Sequence, residues 1–159
     1  VIVGNVLSLM SDKEKALDEC RRVCKRNGFI AVVPMYYIRQ PSDELIKQVS
    51  EAIKFDIISM YKKDWQKFFE IPGLEMYFAK DFEFDYISDG RINKFVEEIL
   101  AREHLKNMRD DTFKTLSKVY RKYIMLFRNN LSYMGYSIFL LSNKRIWEDP
   151  ELFTGREVK

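Results

Sequence analysis

Few residues in this 159-residue chain combine the types and spacing of a known chemistry. Its only cysteines, Cys20 and Cys24, stand four apart in Cys-Arg-Arg-Val-Cys, so on a helix they share one face. A thiolate pair could begin a zinc site, but no second Cys or His pair completes it, and His104 is the only histidine. The two cysteines fall in phase with Ala16, Leu17 and Val23, and they read as small buried hydrophobes. The signatures Gly-x-Ser-x-Gly, His-Glu-x-x-His, Gly-x-Gly-x-x-Gly and the Walker loop are all missing from the sequence. Carboxylates are numerous, but no pair stands apart from ordinary surface charge. A Tyr or a carboxylate could serve as a general base; the sequence singles out neither.

The elements around these residues are easier to read. Residues 1–7 are an apolar strand running into Asn5-Val6-Leu7-Ser8-Leu9-Met10. Ser11-Asp12-Lys13-Glu14 reads as a capping box. The helix that follows, over 12–26, buries Ala16, Leu17, Cys20, Val23 and Cys24 and stops at Asn27-Gly28. Phe29 to Val33 is a second all-apolar strand, ended by Pro34. Strand, crossover helix and strand make a βαβ unit, which implies parallel pairing.

Downstream, Pro41-Ser42 opens a helix with Leu45, Ile46, Val49, Ala52 and Ile53 on one face. A short helix near 62–70 carries Trp65, Phe68 and Phe69, and Pro72-Gly73 breaks it. Residues 74–86 alternate as a long strand with one apolar face (Leu74, Met76, Phe78, Phe82, Phe84, Tyr86) and one wetter face. Ser88-Asp89 caps a helix with Ile92, Phe95, Val96, Ile99 and Leu100 in phase. A helix over about 112–129 places Phe113, Leu116, Val119, Tyr120, Tyr123, Ile124 and Phe127 in phase. Leu131 to Leu141 is the last strand. Trp147 to Lys159 is a polar tail.

Composition narrows the classes. Hydrophobic residues are 47% and charged residues 32%, which is a globular balance rather than a disordered one. No apolar run approaches the roughly 18 residues of a membrane span. Net charge +3 is too near balance to argue for nucleic acid. The charge is uneven, however: residues 41–100 carry 8 basic and 13 acidic side chains, and residues 101–159 carry 12 basic and 7 acidic. Lys114, Lys118, Arg121, Lys122 and Arg128 put much of that basic excess on one helix. The first reading is a solvated helix face; an anionic substrate or RNA is the second. Reduced cysteines and no targeting segment suggest a cytoplasmic setting.

The order of elements carries a resemblance. A strand leading into Asn-Val-Leu-Ser-Leu-Met, then Glu19-Cys20-Arg21-Arg22-Val23-Cys24-Lys25-Arg26-Asn27-Gly28 and the strand from Phe29, resembles the middle of a class I S-adenosylmethionine-dependent methyltransferase. The family pattern is similar to Glu-x-x-Arg-Val-Leu-Lys-Pro-Gly-Gly, with Arg26-Asn27 here replacing the usual Pro-Gly. The resemblance implies an α/β fold: the C-terminal half of a Rossmann-like methyltransferase fold, with parallel strands, an antiparallel final strand and a helical insertion between the last two strands. It divides the chain into core elements over 1–86, an insertion over 87–130 that could act as a substrate lid, a final core strand over 131–146, and a tail over 147–159.

The same resemblance implies function. Asn5, Val6, Leu7 and Met10 would lie near the methionine end of S-adenosylmethionine, since open parallel sheets hold ligands at the carboxyl ends of their strands. Met35, Tyr36 and Tyr37 would line the acceptor site. The family's glycine loop and ribose-binding carboxylate are not found; both would precede Val1. The expectation is therefore a fragment of a methyltransferase, binding the cofactor weakly or not at all, whose intact parent methylates a small-molecule acceptor. Neither a membrane nor a metal is expected. An exposed sheet edge at 1–7 could support self-association. The alternative is a non-catalytic α/β module that binds protein or RNA through its basic helical face.

Overall fold

The computed structural model describes residues 1–105 and 107–144. In chain order the elements are β1 (Ile2–Val3), a 3-10 turn (Asn5–Leu9), α1 (Lys13–Val23), β2 (Phe29–Val32), β3 (Met35–Tyr37) and α2 (Asp43–Ile53). They continue with α3 (Lys62–Phe68), β4 (Leu74–Glu83), α4 (Asp89–Leu100), a 3-10 turn (Glu103–Leu105), α5 (Asp110–Leu131) and β5 (Met134–Asn143). The expected tail over 147–159, and the end of the expected 131–146 strand, lie outside the described residues.

The strands form one sheet. β1 pairs parallel with β2, placing Ile2 opposite Ala31 and Val3 opposite Val32. β5 runs antiparallel to β2 through Phe139–Ser142, and antiparallel to β3 through Met134–Tyr136. β4 also pairs with β5. Parallel strands joined by a helix, an antiparallel last strand, and helices α4 and α5 between the last two strands are the architecture expected from the sequence.

Two compact units divide the described residues: 1–34, 62–81 and 137–144 form one, and 35–61 with 82–136 form the other. The core of the first is aromatic and aliphatic. Trp65 is fully buried, 5.9 Å from Phe69 and edge-on to Phe68, and Phe69 meets Phe139 edge-on. Leu7, Leu17, Ile30, Val32 and Leu141 complete it. The turn from α1 into β2 is fixed by backbone: Asn27 takes a left-handed φ of 53°, and the Asn143 N–H donates to the Gly28 carbonyl at 2.9 Å. A Cβ on Gly28 would come within 2.8 Å of the Lys25 carbonyl oxygen, so glycine is required there. In the second unit α5 packs against α2 and α4, with Ile92, Val96 and Val49 buried.

Several expectations are corrected. The first strand ends at Val3, because the chain turns into 3-10 geometry at Asn5 instead of extending to residue 7. α1 is capped by Asp12, whose side chain accepts from the Lys15 N–H at 3.0 Å, and not by a Ser11–Glu14 box. α1 stops at Val23, before the predicted residue 26; Val23 is 58% exposed, off the covered face, while Cys24 is buried. Pro34 interrupts pairing without ending it, since β3 resumes on β5. The alternation over 74–86 names residues that share a face but not a face that is covered: Met76 and Phe78 are exposed, and β4 ends at Glu83. On the insertion, Phe95, Val119 and Tyr123 are also more open than their helical phase predicts. The last strand begins at Met134, not Leu131, because α5 continues through Leu131.

Candidate functional site

The first group of site residues follows β1 directly. Gly4 precedes the 3-10 turn with no side-chain cap, so the turn is held from within. Ser8 donates its hydroxyl to the Asn5 side-chain oxygen at 2.7 Å, and the Met10 N–H donates to the Leu7 carbonyl at 3.2 Å. Lys13 Nζ then donates to the Met10 carbonyl at 2.8 Å, tying the turn to the start of α1. The side chains divide by direction. Leu7 is buried in the core, whereas Val6 is 46% exposed and Met10 half-buried. The turn lies at the carboxyl end of a parallel strand, the position where open sheets hold ligands, with Val6 exposed and Asn5 and Met10 half-buried.

The second group lies in the other unit. Met35, Tyr36 and Tyr37 form a strand paired opposite Tyr136, Gly135 and Met134. Tyr36 and Tyr37 are buried and Met35 is half-buried. The Tyr37 hydroxyl donates to the Asn130 side-chain oxygen at 2.9 Å, and its N–H donates to the Met60 carbonyl at 2.9 Å. Burial pushes the Tyr37 phenol above its ordinary value; the Asn130 contact partly opposes this, and nearby Tyr61 adds to it. A raised phenol keeps Tyr37 protonated near neutrality, so it acts there as a hydrogen-bond donor and not as a base.

Other chemistry-bearing groups are occupied structurally. Cys24 is buried with its thiol 3.6 Å from the Phe29 carbonyl, and desolvation raises the Cys20 thiol, away from the depressed value of a reactive cysteine. His104 is exposed in the short turn Glu103–Leu105. Among the described residues no group of three or more His, Cys, Asp or Glu could hold a metal ion. A polar arrangement centred on Ser137 was not legible in the sequence. Ser137, fully buried on β5, donates to Asp81 of β4 at 2.6 Å, and Lys62 pairs with the other oxygen of that carboxylate at 2.5 Å. The 56 positions between Ser137 and Asp81 leave no sequence signal for it.

Val6 is an exposed apolar side chain, Met10 a half-buried one, and Asn5 a polar neighbour. Asn5 to Met10 includes no carboxylate for ribose hydroxyls.

No family profile and no curated protein matches this sequence. Solved structures do match. MccD is 20% identical with a TM-score of 0.69, over 90% of this chain and 60% of that one. The cyclopropane synthase MmaA2 from Mycobacterium tuberculosis is 11% identical with a TM-score of 0.58, over 89% and 54%. Phosphoethanolamine N-methyltransferase 2 from Haemonchus contortus, solved with S-adenosyl-L-methionine, is 10% identical with a TM-score of 0.57, over 91% and 32%. The chain thus spans a third to three fifths of the length of these proteins.

Proposed function

The chain has the Rossmann-like fold of class I S-adenosylmethionine-dependent methyltransferases, and we propose that it serves methyl transfer to a small-molecule acceptor. The observation that carries this reading is topological: parallel β1 and β2 joined by α1, with β5 antiparallel beside β2, put the turn at Asn5 at the carboxyl edge of the sheet.

The residue roles follow the chemistry. S-adenosylmethionine, when bound, supplies an already activated methyl on its sulfonium. Such a transfer asks the protein for alignment and exclusion of water more than for covalent participation. Val6 and Met10 would provide the apolar wall at the donor side, with Asn5 as a polar contact and Leu7 anchoring the turn in the core. Met35 and Tyr36 would shape the acceptor side, and Tyr37 would hold that strand to α5 through Asn130. The insertion over 87–130 would cover the acceptor and select it.

The test is titration of the whole protein with S-adenosylhomocysteine, followed by transfer of a labelled methyl to a panel of small molecules. Saturable binding that weakens in Val6→Asp supports the reading. Salt-sensitive RNA binding with no response to S-adenosylhomocysteine would replace it with the binding module.

A further inference from the structure

A cavity of about 510 Å³ lies wholly within the unit formed by 35–61 and 82–136. Its lining is Ile38, Arg39, Glu83, Phe84, Tyr86 and Ser132. These residues come from the carboxyl ends of β3 and β4 and from the junction of α5 with β5. The walls are held from behind. Phe84 packs 5.3 Å from Tyr136, and Phe82 stacks on the same ring at 4.9 Å. Arg128, whose side chain is only 12% exposed, donates to the Ile87 carbonyl at 2.7 Å, pairs with Asp89 at 2.7 Å and lies 5.4 Å over the Tyr86 ring. Arg39 lies over Tyr133 at 5.3 Å and donates one N–H to the Ser132 carbonyl.

The charges in this cavity are unusual in one respect. Arg39 and Glu83 line the same space, yet they do not form an ion pair with each other. Glu83 has no partner among the described residues, and the guanidinium spends only one of its five N–H groups on protein. A guanidinium fork recognises a carboxylate, and a carboxylate recognises an ammonium. Phe84, Tyr86 and Ile38 supply apolar lining in the same cavity.

We infer that this cavity binds a free α-amino acid with an apolar or aromatic side chain, its carboxylate on Arg39 and its ammonium on Glu83. As an acceptor site this rests on the methyl-transfer reading, but binding needs no donor, so the two fail separately. The donor's methionine end also carries an α-amino-acid group, and the test separates that source.

The experiment is an amide NMR titration of the full chain with L-phenylalanine, 3-phenylpropionate, phenethylamine and S-adenosylhomocysteine. L-Phenylalanine should shift Ile38, Phe84 and Ser132 saturably. The two analogues, each lacking one charge, should bind about tenfold more weakly, as loss of a charge-assisted hydrogen bond implies. R39Q should weaken L-phenylalanine while leaving phenethylamine unchanged, and E83Q should weaken it while leaving 3-phenylpropionate unchanged. Both side chains are exposed, and the ligand series on the unaltered protein decides the matter even if a variant misfolds. No saturable shift, equal binding of all three aromatic ligands, or shifts at these residues from S-adenosylhomocysteine but not from L-phenylalanine would each overturn the inference.

Discussion

Tyr37 on β3 donates its hydroxyl to the side-chain oxygen of Asn130 near the end of α5, at 2.9 Å, with both residues buried and 93 positions apart. Asn130 in turn donates to the Met134 sulfur at 3.2 Å, where β5 begins. This bond fastens the strand proposed to shape the acceptor side to the longest helix of the insertion. Removing the hydroxyl in Tyr37→Phe leaves a buried acceptor unsatisfied, so the expected loss is about 1–3 kcal/mol. Urea denaturation of the two proteins at neutral pH measures it.

The same bond sets an alkaline limit. Folding raises the Tyr37 phenol, chiefly through burial, so the folded protein holds this proton more tightly than the unfolded chain. The associated stability is complete below the ordinary tyrosine value of about 10 and is lost as pH rises through the higher folded value. Denaturation at pH 9 and pH 11 should show a fall that is shallower in Tyr37→Phe.

The aromatic cluster of the other unit predicts a larger effect. Trp65 is fully buried against Phe68 and Phe69. Trp65→Ala should cost about 3–5 kcal/mol, a large part of the stability of a domain this size. Loss of a cooperative thermal transition, or a Tm far below that of the parent, is the expected outcome.

Gly73 supplies a backbone test. Its φ is +78°, and a Cβ there would lie 2.8 Å from the Lys144 carbonyl oxygen. Gly73→Ala should destabilise by about 1–3 kcal/mol through strain alone. Ala79→Gly, on exposed β4, should change stability far less.

Helices α2 and α4 were legible because their caps and their periodicity agree. Ser42 and Ser88 each accept from the N–H three residues on, as the sequence suggested. The parallel β1–β2 pair and its crossover helix were legible from apolar runs and the Asn27-Gly28 stop. Alternation along β4 told which residues share a face, but burial depends on a neighbour that alternation does not specify; Tyr77 is 69% exposed. The buried polar groups Asn130 and Ser137 were illegible because their partners lie 93 and 56 positions away. For Asn5 to Met10, composition suggested a strand end, and only the backbone turn revealed that Leu7 faces the core while Val6 faces out.

The donor wall makes its own prediction. Val6 is 46% exposed, so Val6→Asp should leave the thermal midpoint nearly unchanged. In the whole protein it should weaken S-adenosylhomocysteine by roughly tenfold or more, because a carboxylate would be desolvated against an apolar ligand surface. Calorimetric titration of both proteins reads the change.

Methyl NMR of the whole protein with labelled methionines, titrated with S-adenosylhomocysteine, tests most directly whether the turn after β1 faces the methyl donor. The Met10 methyl should shift saturably while Met76, on exposed β4, stays in place. Saturable binding that leaves Met10 unmoved, or no binding by the whole protein at all, would contradict the assignment.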